Sequence, residues 1–163
     1  MQIPDIDIKP DKVIPFFSDG KWSLYHLLSH CLAYTGPANV RISSFSLSEN
    51  AVRSFINEKQ SGLIKSMSLL FDVSIPHRKI DLMLFAREVF SEIRLCPNHS
   101  KMILINGDRK LCIISTQNLT PNPRLEVGVL FTTNEHYNFY SNVFDNYFVN
   151  ALSYNPYDHG ETT

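Results

Sequence analysis

The sequence predicts an α/β fold, a mixed β-sheet flanked by helices, and three observations lead there. Segments with helical spacing alternate with short β-rich runs through most of the chain. Asn106-Gly107 separates two apolar β-rich runs, which makes part of the sheet antiparallel. From Asn134 to Leu152, Tyr137, Tyr140, Phe144, Tyr147, Phe148 and Ala151 trace one face of a long helix.

The elements follow in order. Lys21 to Tyr34 reads as a helix, entered through Ser18-Asp19-Gly20 and closed by Gly36-Pro37. Val40 to Phe45 is a short strand, and Ser48 is placed to cap a helix from Glu49 to Lys59. Gly62 separates that helix from a strand over Ile64 to Val73. After Pro76, Ile80, Leu84, Phe85 and Val89 recur at helical spacing, and Ile93 to Leu95 is a brief strand. Lys101 to Ile105 and Leu111 to Ser115 are the two hairpin strands, with positive φ tolerated at both Asn106 and Gly107. Leu125 to Thr132 is a further strand ahead of the long helix.

The 163 residues fit one domain, expected over 13–154, between an N-terminal arm over 1–12 and a polar tail over 155–163. A hydrophobic share of 44% and a charged share of 19% are ordinary for a soluble globular chain. The net charge of -1 supplies no field drawing the whole molecule to nucleic acid or anionic lipid, although it leaves room for a local basic cleft. Cys31, Cys96 and Cys112 are odd in number and lack disulfide-like spacing, as expected of reduced thiols. The first residues lack a signal-peptide pattern, and no run approaches the ~18 apolar residues of a spanning helix. The expected setting is cytoplasmic, with no membrane partner.

The residues that carry chemistry lie between His99 and Glu126. Alternation along a strand puts His99 and Lys101 on one face, where an imidazole and an ammonium can meet the same phosphate. Ser115-Thr116-Gln117-Asn118 and Asn122-Pro123-Arg124-Leu125-Glu126 add hydroxyls, a carboxamide, a guanidinium and a carboxylate after the second hairpin strand. Polar turns at strand ends are where ligand-facing residues of α/β sheets sit.

His99-x-Lys101, followed after four intervening residues by Asn106, resembles the HxKxxxxD signature of phospholipase D-like enzymes. Ser115 to Asn118 looks like the GSxN element of that family, and Glu126 like its downstream glutamate. The stretch NLTPNPRLEVGV, Asn118 to Val129, is similar to small phospholipase D-like proteins of phages and mobile elements. The chain departs from the family pattern at three points. Asn106 stands for aspartate, Ser115-Thr116 for Gly-Ser, and the hairpin is two residues longer than the commonest spacing.

The resemblance implies a metal-independent phosphodiesterase with no cofactor, of the nuclease type. His99 would be nucleophile or acid; Lys101 and Asn118 would bind phosphate, with Thr116, Ser115 and Arg124 beside them. Glu126 would orient and tune His99. An imidazole, with an ordinary pKa near ~6.5, serves either role according to its proton. The family reaction needs two histidines and this chain has one motif, so the resemblance implies a homodimer with nucleic acid, DNA first, as substrate or ligand. The alternative is a catalytically impaired nucleic-acid-binding or assembly module on the same scaffold. Phospholipase chemistry is disfavoured because no amphipathic anchor is visible.

Other clusters have plainer readings. Cys96-x-x-His99 with Cys112 is a partial zinc pattern without a fourth ligand. His26 and His30 share a helix face but lack the glutamate of a zinc-protease helix. His77-Arg78-Lys79 reads as a solvated basic loop ahead of a phosphate-backbone contact.

Overall fold

The patterned segments resolve into eight strands and five helices among the residues that the computed structural model describes, 5–90 and 92–156. Strand β1 (Val13–Ser18) leads to helix α1 (Leu24–Thr35), followed by β2 (Ala38–Ser44), α2 (Glu49–Gln60) and β3 (Ile64–Asp72). Then come α3 (Ile75–Arg78), α4 (Ile80–Val89) and β4 (Glu92–Cys96). β5 (Met102–Asn106) and β6 (Lys110–Ser115) form a hairpin; β7 (Glu126–Phe131), α5 (Asn134–Asn150) and the two-residue β8 (Leu152–Ser153) follow.

The strands make one mixed sheet in the order β1-β7-β6-β5-β2-β3-β4-β8. β2, β3 and β4 run parallel, and the other neighbouring pairs run antiparallel. This topology dictates where the site lies. The chain leaves β4 and must cross the carboxyl ends of β3 and β2 before it returns as β5. Three strand spacings of ~4.8 Å are bridged by residues 97–101, so the connection runs across the sheet edge with only a few ångströms to spare.

α1, α2 and α4 cover one face, where Leu24, Leu28, Ile42, Phe55, Leu69 and Ile103 are all buried. Each large side chain so buried contributes roughly 1.5–3 kcal/mol. α5 covers the other face, setting Tyr137 and Phe144 against Leu70, Met102, Leu104 and Cys112. Two arginines from the sheet fix that helix. Arg41 bonds Tyr137 Oη, Ser141 Oγ and Asp145 Oδ1 at 3.0, 2.7 and 2.5 Å, and Arg94 donates to the carbonyls of Phe148 and Val149. A cation among the last carbonyls of a helix also opposes its dipole.

The α2 start is as expected: Ser48 Oγ accepts the Ala51 N–H at 3.3 Å. Gly36 closes α1 with a φ of 67°. Several expectations need correction. β1 is an additional strand; Pro15 in its middle argues against a central strand but is tolerated at this sheet's edge. The helix after Pro76 is two pieces, broken at Lys79, whose φ of -145° is not helical. Asn106 is not a turn residue: it pairs with Lys110, leaving a three-residue loop, Gly107 to Arg109, and neither Asn106 nor Gly107 has positive φ. Gly107 is needed for closeness, since a Cβ there would sit 2.8 Å from the Thr35 carbonyl oxygen. Tyr147 does not join the buried face of α5; it is 62% exposed.

The described part of the N-terminal arm is docked. Ile6 and Ile8 pack on the core, and Ile6 O bonds His30 Nε2 at 2.9 Å. The tail expected from Asn155 lies, from residue 157 on, outside the described residues.

Gly128 lies opposite Phe16, and a Cβ on it would stand 2.6 Å from the Ile114 carbonyl oxygen. Backbone cannot yield there, so Gly128→Ala is expected to cost about 2–3 kcal/mol, read as a lowered urea midpoint.

Candidate active site

The connection over residues 97–101 carries His99 across the ends of the parallel strands, the place where α/β sheets bind ligands. Asn98 fastens it. Its N–H donates to Asp72 Oδ2 at 3.0 Å, its Nδ2 donates to Ser43 Oγ at 2.9 Å and Leu70 O at 3.0 Å, and its Oδ1 accepts from the Ser100 N–H and hydroxyl. Ser43 and Ser100 hydroxyls meet at 2.5 Å. Groups on β2, on β3 and on the connection itself therefore hold the residue before His99.

His99 itself is exposed, its ring tilted against Phe45 with centroids 4.8 Å apart. Lys101 is only 8% exposed, and its Nζ lies 3.1 Å from His99 Nδ1 and 2.6 Å from His99 O. Burial pushes the Lys101 ammonium below the ordinary lysine pKa, and the negative charge of Glu126 opposes that shift. Lys101 O accepts the Ser115 N–H, which joins this corner to the end of β6.

Glu126 opens β7 beside it. Its two carboxylate oxygens accept from the Thr116 hydroxyl and the Asn122 carboxamide, each at 2.5 Å. The Asn122 loop is set by Gly20, whose φ of 90° and missing side chain let Pro123 approach; a Cβ there would lie 2.7 Å from Pro123 Cα. A cavity of about 650 Å³ opens between this sheet edge and α5. His99, Lys101, Ser115 and Thr116 line one side and Tyr140, Val143 and Tyr147 the other.

No protein-family model matches the chain, and no curated protein matches it in sequence. Solved structures do match. NucT from Helicobacter pylori superposes with a TM-score of 0.67 at 12% identity, over 88% of this chain and 100% of its own. Nuc from Salmonella typhimurium, a phospholipase D family member, gives 0.63 at 12% identity, over 88% of this chain and 97% of its own. The chain has the phospholipase D fold. TrmBL2, an archaeal chromatin protein, is similar over 88% of this chain and 55% of its own, with a TM-score of 0.59 at 12% identity.

Within the phospholipase D fold, the expected residues divide into those that converge and those that do not. His99, Lys101, Ser115 and Thr116 share the cavity. Glu126 reaches it through Thr116 and by its charge on Lys101. Asn118 does not line it: its Oδ1 is buried and has no hydrogen-bond partner among the described residues. The segment is pinned by its neighbours, with Gln117 Nε2 on Trp22 O and Leu119 O on the Ser48 hydroxyl. Arg124 stands exposed in the Asn122 loop, held through its N–H to Asn122 Oδ1. Asn106 lies at the far end of β5 from Lys101, roughly 17 Å away at ~3.3 Å per residue, so its amide does not touch the His99–Lys101 corner.

The other clusters find structural uses. Cys112 is buried under α5 and burial pushes its thiol up to about 12, against the thiolate that zinc requires. His26 Nδ1 accepts the Ser23 N–H at the start of α1, at 2.9 Å. Asp72, Asn98, Ser43, Phe45 and Asn122 were not picked out from the sequence. Only Asn98 and Asn122, flanking the recognised motifs, offered any local signal.

The buried Lys101 charge has two measurable consequences. With its folded pKa below the unfolded value, the folded state binds fewer protons, so stability rises with pH across the interval between the two. Lys101→Met is therefore expected to raise the neutral-pH Tm, by about 1 kcal/mol in stability. Calorimetry of both proteins from neutral to alkaline pH checks it: the gap between them should narrow as the lysine discharges.

Proposed function

We propose that this chain is a metal-independent phosphodiesterase of the nuclease type, working as a homodimer through a phosphohistidine on His99. The observation that carries the reading is the Lys101 amine 3.1 Å from His99 Nδ1, at the mouth of a cavity wide enough for a phosphodiester. A cation beside a nucleophile is what phosphoryl transfer asks for, since charge grows on the phosphoryl oxygens in the transition state.

The neutral imidazole of His99 attacks phosphorus. A P–N bond forms as the P–O bond to the leaving group breaks, and the leaving oxygen takes a proton from the partner subunit's His99. Water then attacks the phosphohistidine; the partner's His99 accepts the water proton and the P–N bond breaks. Lys101 balances the phosphoryl charge throughout, and Thr116 fixes the Glu126 carboxylate that keeps Lys101 charged. The second histidine comes by twofold symmetry. Val143 and Tyr147 support that arrangement: both line the His99 cavity, both are exposed, and a second copy seated there would cover them.

The substrate class is nucleic acid, DNA first. A binding module without turnover is the second reading, favoured by the likeness to TrmBL2, a chromatin protein that binds DNA, and by the absence of Asn118 from the cavity lining.

Cleavage of labelled DNA in excess chelator tests the reaction. Wild type should cut; His99→Ala should not, and an acid-labile phosphate should be trapped on His99 alone. Activity that appears only with added magnesium would refute the mechanism. Because one imidazole must be neutral and its twin protonated, kcat should follow a bell-shaped pH profile. Tyr147→Glu should yield monomers by light scattering and lose cleavage with every His99-side residue intact; an active monomer would sink the shared site.

A further inference from the structure

A second basic concavity adjoins the site, and nothing so far has used it. A groove of about 730 Å³ runs between α2 and the α3–α4 break, lined by Arg53, His77, Arg78, Lys79, Ile80 and Phe85. Arg78 connects it to the catalytic corner. Its guanidinium lies 4.8 Å from the centre of the Phe45 ring, and that ring lies 4.8 Å from the ring of His99. Two successive contacts of 4.8 Å keep Arg78 within about 10 Å of His99, close enough for one polynucleotide strand to reach both.

We propose that this groove binds a flanking phosphate of a polynucleotide strand whose scissile phosphate is at His99, with Arg78 and His77 as the contacts. The proposal rests on the phosphodiesterase reading and narrows its substrate to a chain with several phosphates.

Charge and shape both support it. The molecule as a whole carries -1, so this concentration of basic groups is local. Glu49, in the same groove, is held by Arg53 at 2.8 and 2.6 Å, and Lys79 is turned onto the Leu47 carbonyl. Asp81, the other acid in the lining, opens α4. Arg78 and His77 are exposed. Arg78 is pre-set by Nη2 bonds to Phe45 O and Ser74 Oγ, at 3.2 and 3.0 Å, which lowers the entropy lost on meeting an anion. Ile80, 61% exposed, and Phe85 give the groove an apolar side suited to a sugar or base.

The test compares wild type, Arg78→Gln and His77→Glu as full chains on two substrates. One is a fluorescein-labelled single-stranded oligonucleotide; the other is bis(4-nitrophenyl) phosphate, a single diester too small to reach the groove. Arg78→Gln should raise the oligonucleotide Kd and KM about tenfold and reduce the slope of log Kd against log salt by about one. Hydrolysis of the small diester should not change. His77→Glu should weaken oligonucleotide binding in the same direction. Unchanged oligonucleotide binding and slope in both variants overturns the proposal. So does an equal fall on both substrates, which would mean that Arg78 acts through Phe45 on His99. If wild type cleaves neither substrate, the phosphodiesterase reading fails, while the salt slope of binding still decides the groove.

Discussion

One carboxamide holds the site in place. Asn98 lies early in the crossing from β4 to β5 and bonds to groups on β2 and β3, which that crossing must pass. The connection is short, so bonding one of its residues to two strands fixes the residue next to it. His99 is thus exposed yet positioned, a combination that a free surface loop does not provide. The anchor works because Asp72 and Ser43 end their strands at the same sheet edge, where the carboxyl ends of parallel strands converge.

The charges are arranged with the same economy of parts. Lys101 is nearly buried between its own loop and the strand ends, an unfavourable place for an ammonium. Glu126 is the counterweight, and it is itself held by two donors rather than by the lysine directly. Folding therefore tolerates an electrostatically unfavourable corner, with a positive charge held largely away from water.

Much of this was legible in the sequence, where the signal is local. Ser48 announces α2 and Gly36 ends α1, and the His99 and Lys101 side chains do meet, although both precede β5 rather than alternate along it. The failures are those of tertiary context. Pro15 disguised β1 because a proline is disallowed in a central strand and harmless at an edge, and only the strand order tells which it is. Asn106-Gly107 has the composition of a tight turn, but the carbonyl of Thr35 on α1 sets the loop. Asp72 and Ser43 gave no signal because their partner, Asn98, is distant in sequence. Asn118 is a further case: the motif names it, but its buried Oδ1 and its absence from the lining of the His99 cavity are visible only in the fold.

The sheet's two ends have a consequence for how copies of the protein meet. At one end β1 contains Pro15, which has no N–H to offer an incoming strand. At the other, β8 is only two residues long. Neither border is a good template for adding another molecule strand by strand, so repetitive stacking into filaments is discouraged at both. Self-association is left to side-chain surfaces, which can close on themselves and stop at a fixed number of subunits.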